Sequence, residues 1–215
     1  MAQISVRSSE EDIKKIQGPT MTITVGASKE PFHVHEAVIC TSSLFFKKAM
    51  SGSWKESKEH TLELPEDDPQ IFSLYSHWLY FGKIPVIPKE KSQSKEYHDL
   101  VEAYVLGDKL LDAKFQNSAI DAIVEKCSEP DAQDGKRWYP GVDAITHAYK
   151  RTVKSATIRS LFVDMYVDTA TDKWLNREFP KEFLYSVVEG LMKKKKNSET
   201  KQIKASEYYV HPSEN

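Results

Sequence analysis

The sequence predicts an α+β fold: a small three-stranded sheet flanked by helices, followed by an all-helical extension. Three observations carry this expectation. Short stretches that alternate polar and apolar residues, rich in β-branched side chains, fall within the first 65 residues, and period two marks a half-buried strand. From residue 69 onward the apolar residues recur at three- and four-residue spacing, the stripe of a helix that buries one face. Only 8 of 215 residues are glycine, below the usual ~7%, which argues for helix-weighted structure.

Residues 1–17 form a polar leading segment with one short helix predicted. Ser9 and Asp12 have the spacing of a capping box, and Ile13 and Ile16 give a thin apolar edge. After Gly18-Pro19, Thr20–Val25 reads as a strand, Gly26–Glu30 as a turn, and Met21–Val25 with Pro31–Val34 as a hairpin. From Glu36 the period changes: Val38, Ile39, Leu44, Phe45 and Phe46 suit one helix or two broken near Ser42-Ser43, with Ser42 as the second cap and His35 as the first. Thr61–Leu64, closed by Pro65, is the third strand.

Glu66, Asp67 and Asp68 with Pro69 mark a helix entrance, because carboxylates complement the positive end of the dipole. Ile71, Leu74, Tyr75, Trp78 and Leu79 then stripe a helix that runs to Gly82. Lys89–Glu96 reads as polar linker. A second long helix carries Leu100, Ala103, Tyr104, Leu110 and Leu111, and a third carries Phe115, Ile120, Ile123, Val124 and Cys127. Glu129–Pro140 is a break. Further helices carry Val142, Ile145, Ala148 and Tyr149, then Ile158, Leu161, Phe162 and Met165, then Phe183, Leu184, Val187, Val188 and Leu191 after Pro180. The expected organisation is a leading segment 1–17, a domain 18–127, a helical extension 128–192 and a basic, disordered tail 193–215.

Charge and cysteine content bound the function. Lys and Arg number 30 against 32 Asp and Glu, a formal net charge of −2, so bulk attraction to nucleic-acid phosphate is disfavoured. Two cysteines, Cys40 and Cys127, exclude a disulfide framework and a zinc site built on CxxC pairs. No apolar run approaches the ~20 residues of a membrane span, and the start lacks the apolar centre of a secretory leader. The expected location is intracellular, in nucleus and/or cytoplasm.

Few residues point to chemistry. His33 and His35 share one strand face, as two metal ligands would, but no third ligand sits at metal spacing and an ordinary sheet-edge pair is preferred. The acidic triplet at residues 66–68 is explained by its helix entrance. No nucleophile elbow, phosphate loop or zinc-protease motif occurs, so an enzyme is unsupported and no cofactor is expected. Lys193, Lys194, Lys195 and Lys196 are a nuclear-import candidate, against the plainer reading of a solvated helix terminus. Trp54, in the charged stretch Trp54-Lys55-Glu56-Ser57, is either a core plug or an exposed partner anchor.

Taken together, Thr20–Gly26, Phe32-His33-Val34-His35 with Val38, Ile39 and Cys40, Ser43-Leu44-Phe45-Phe46, Trp54-Lys55-Glu56-Ser57, Leu62–Pro69 and Phe72–Ile84 resemble a BTB/POZ domain. Gly141–Asp164 resembles the helical extension of short BTB proteins from filamentous fungi. The resemblance implies a mixed sheet flanked by helices and a protein-interaction platform. It implies homodimerisation through early helices, here Ile13, Ile16, Leu44, Phe45 and Phe46. In cullin ubiquitin-ligase adaptors of the family a hydrophobic-x-Glu motif contacts the scaffold, and Trp54, Lys55 and Glu56 match it. The family's transcriptional members carry an acidic and a basic residue where this chain has Thr20 and Glu36, so corepressor recruitment is not implied.

The resulting expectation is a non-enzymatic interaction module with protein partners: a second copy and a cullin scaffold, with no small-molecule substrate and no membrane. The competing readings are a BTB-type transcription or chromatin regulator and a metal-dependent enzyme using His33 and His35.

Overall fold

The computed structural model describes residues 9–51, 59–87, 93–131 and 135–195. Its elements are α1 (Glu11–Gln17), β1 (Thr20–Val25), β2 (Glu30–His35), α2 (Glu36–Ser42), α3 (Leu44–Met50), β3 (Thr61–Leu64), α4 (Pro69–Phe81), α5 (Gln93–Lys109), α6 (Ala113–Ser128), α7 (Val142–Arg151), α8 (Thr157–Thr169), a 3-10 turn at Asp172–Trp174 and α9 (Lys181–Lys195). The expected α+β fold with a helical extension is what forms.

The sheet has the order β2-β1-β3, with β1 antiparallel to β2 and parallel to β3. Met21, Ile23 and Val25 of β1 are fully buried, while the threonines between them face the other way, the consequence of period two. Gly26 closes the strand at φ +74, a left-handed conformation that glycine adopts without a Cβ clash. It leads into a hairpin whose register pairs Met21 with Val34 and Ile23 with Phe32. The parallel β1–β3 pairing requires a crossover, and α2 and α3 lie in it.

Two helices, not one, follow β2, and the break lies at Ser43. Its Oγ accepts from the Phe46 amide at 3.2 Å and donates to the Leu110 carbonyl at 2.6 Å. The cap is therefore Ser43 and not Ser42, whose hydroxyl donates instead to Asp112 at 2.6 Å. His35 stands at the N-cap position of α2 without a side-chain cap bond. Its ring turns to the Tyr80 hydroxyl, 2.9 Å away. α4 follows the sequence expectation closely: the Asp68 carboxylate accepts from the Gln70 amide at 2.7 Å, Pro69 opens the helix and Gly82 ends it at φ 65.

α5 begins at Gln93, inside the expected linker, and ends at Lys109, before Leu110 and Leu111. Leu111 sits at φ 51 and is exposed, because the buried Asp112 next to it starts α6 by accepting from the Phe115 amide at 3.1 Å.

One apolar core runs from Met21 in the sheet to Phe183 in α9. Tyr75, Trp78 and Phe115 pack against one another within it, with ring centroids 4.8–6.0 Å apart; each such side chain contributes roughly 1.5–3 kcal/mol by leaving water. In the extension, Tyr166 and Phe183 meet edge to face at 5.0 Å. Arg159 is the buried cation there, only 7% exposed. It donates to the Tyr149 and Thr152 carbonyls and to Thr152 Oγ1, lies over the Tyr149 ring and reaches Glu182 at 3.3 Å. Lys193, Lys194 and Lys195 belong to the last turn of α9 and not to the tail; cations at that end complement the exposed carbonyls.

Candidate interaction surfaces

Residues expected at a dimer contact divide in two. Ile13 and Ile16 are each 54% exposed and Leu44 is 53% exposed. Ile16 lines a groove of about 430 Å³ together with Val38 and Thr41 of α2, Trp78 of α4 and Lys114 of α6. Phe45 is half-buried. Phe46 is a correction: it is fully buried and offers no surface to a partner. Two residues along a helix rotate the side chain by roughly 200°, so Leu44 and Phe46 of α3 point to opposite sides, and the core takes Phe46.

Trp54, Lys55 and Glu56 lie outside the described residues, as does Lys196. Lys193 pairs with Glu189 at 2.9 Å and Lys194 with Asp168 at 3.0 Å. The two strand histidines have separate partners: His33 Nδ1 lies 3.2 Å from Thr22 Oγ1 and His35 Nδ1 lies 2.9 Å from Tyr80 Oη. Among the described residues no third ligand-type side chain joins them. Thr20 is exposed at the start of the central strand β1, and Glu36 Oε2 lies 2.9 Å from His60 Nδ1. Burial, with the Glu36 charge adding to it, pushes the nearby Cys40 thiol up to about 11.

A second concave surface escaped the sequence reading. Between the break before α7 and the 3-10 turn, Trp138, Tyr139, Tyr166, Trp174 and Phe179 line a groove of about 810 Å³, with Lys136 and Arg137 among its other lining residues. Tyr166 is fixed there by donating to the Pro140 carbonyl at 2.9 Å, and the Tyr139 ring packs, tilted, against Trp174 with centroids 5.0 Å apart. Trp138 remains 44% exposed. The sequence signal was the run Arg137-Trp138-Tyr139 beside Pro140, aromatic residues in a segment otherwise rich in loop formers.

A mixed three-stranded sheet, short paired helices packed on it and apolar residues left facing solvent define a small α+β recognition domain. Residues 13–106 match the family model of the BTB/POZ domain, and the chain carries a BTB/POZ domain, a type of protein–protein interaction module. No curated protein matches the chain. Among the described residues no helix is long and apolar enough to cross a membrane.

Proposed function

We propose that this chain is a homodimeric adaptor: one copy pairs with another through the surface carrying Ile13, Ile16 and Leu44, leaving the helical extension to engage a different protein. The observation that carries the proposal is that these three large aliphatic residues, on the early helices α1 and α3, each stay more than half exposed. A stable interface of the usual size removes about 1,600 Å² from water, and exposed β-branched and leucine side chains at its centre supply the apolar gain. Light scattering on the chain at tens of micromolar tests it. Twice the 24.6 kDa chain mass is expected, falling to the single mass in Leu44→Asp. A single mass for the unaltered chain defeats the dimer.

The cullin contact rests on the resemblance of Trp54, Lys55 and Glu56 to the adaptor motif. A pull-down with a cullin amino-terminal domain, comparing the unaltered chain with Trp54→Ala and Glu56→Lys, decides it. Capture lost in both variants supports adaptor use, and unchanged capture, or none in any sample, removes it.

A further inference from the structure

His98 and Glu102 stand four residues apart on α5, so they share one helix face. His147 of α7 meets them across the packed helices. Its Nε2 is hydrogen-bonded to Glu102 Oε1, and its ring centroid lies 4.6 Å from that of His98, tilted by 47°. One ligand atom from each of the three lies within 4.8 Å of the others.

We propose that His98, Glu102 and His147 bind one divalent transition ion of the zinc class, and that the ion clips the helical extension to the BTB/POZ domain. Two imidazoles and one carboxylate are the donor set that borderline divalent ions prefer over magnesium or calcium, which favour oxygen alone. Tetrahedral bonds of about 2.0–2.1 Å place donors roughly 3.4 Å apart. The separations, none above 4.8 Å, are within side-chain adjustment of that spacing, and His98, which is exposed, has the rotational freedom to adjust. Glu102 and His147 are partly buried and face each other across the packed helices, so both are directed at one point, and their direct hydrogen bond opens to the ligand spacing as the ion enters between them. A water takes the fourth position on the solvent side.

The charges around the triad are mixed. Arg151 Nη2 of α7 lies 3.9 Å from Glu102 Oε2, but its side chain is 53% exposed and can withdraw into solvent. On α5, Asp99 next to His98 is paired with Lys95. His98 and Glu102 fall within the family-matched span 13–106 and His147 falls beyond it, so the ion would bridge the domain and the extension. This assignment is independent of the proposed dimer.

The test is a zinc titration of the full chain, stripped with a chelator, at pH 7.5 against a chromophoric competitor, together with thermal melts. One equivalent is expected to bind, with a melting rise of about 5–10 °C when free zinc is about a hundred times Kd. Magnesium should produce no rise. His98→Ala removes an exposed ligand without disturbing the fold, and binding should weaken at least tenfold with loss of the melting rise. His33→Ala should bind as the unaltered chain does. Absence of saturable one-to-one binding, or a zinc response that survives His98→Ala, overturns the assignment.

Discussion

The Tyr75 hydroxyl donates a 2.9 Å hydrogen bond to Asp112, a carboxylate with no exposure to solvent. Asp112 also accepts from Ser42 at 2.6 Å and from the Phe115 amide at 3.1 Å. One buried side chain thus ties α2, α4 and α6 together, and its desolvation is offset by three donors. Burial and the adjacent Asp112 charge push the Tyr75 hydroxyl far above the ordinary tyrosine range, which keeps it a donor. Asp112→Ala should cost about 2–4 kcal/mol, the sum of a lost cap and two orphaned hydroxyls. Tyr75→Phe alone should cost about 1 kcal/mol. Urea unfolding of both and of the double variant checks this: the effect of Tyr75→Phe should shrink once Asp112 is gone, and strict additivity would show that the pair is not coupled.

Gly26 and Gly135 both have positive φ, +74 and +68, but only Gly26 is crowded: a Cβ there would stand 2.9 Å from Pro69 Cγ. Gly26→Ala should therefore cost about 1–3 kcal/mol, and Gly135→Ala, in open space, about 1 kcal/mol. Equal costs in chemical denaturation would mean that the approach of α4 to the hairpin turn carries no energy.

Arg159→Lys should destabilise the extension by about 2–4 kcal/mol, since one ammonium cannot serve carbonyls on Tyr149 and Thr152 together with Thr152 Oγ1. Hydrogen exchange should quicken across residues 149–159. A lysine variant that melts with the unaltered chain would contradict this.

Lys154, with Arg159 behind it, holds the Glu182 carboxyl below the usual carboxylate range. A depressed folded pKa contributes stability above the unfolded value of about 4.3, which disappears as pH falls through the folded one. Glu182 is exposed, so the effect is small. Glu182→Gln should leave neutral-pH stability almost unchanged and flatten the acid limb of the stability profile; an identical acid limb would exclude the contribution.

Cys40, raised from 9.0 to about 11 by burial and by Glu36, should be alkylated by iodoacetamide at pH 8 about a hundredfold more slowly than in the unfolded chain, because the thiolate is the nucleophile. The same shift, being upward, contributes stability below pH 9 that is lost between about 9 and 11. Native labelling as fast as that of the unfolded chain would refute it.

What the sequence by itself determined is local. The alternation in Thr20–Val25, the Asp68 cap with Pro69, the Gly82 stop and the stripe of α4 each depend on residues no more than a few positions apart, and short-range sterics and hydrogen bonds settle them. Tertiary structure decided whatever depends on a partner distant in the chain. Ser43 caps α3 because Asp112 engages Ser42, seventy residues away. Phe46 turns inward while Leu44 stays out because the core lies on one side of α3. The aromatic groove arises where α8 and the segment after it meet the stretch before α7, and the His98, Glu102 and His147 cluster where α7 packs on α5. Periodicity tells which face of an element is apolar; only packing, where burial and polar satisfaction are resolved together, selects what that face meets.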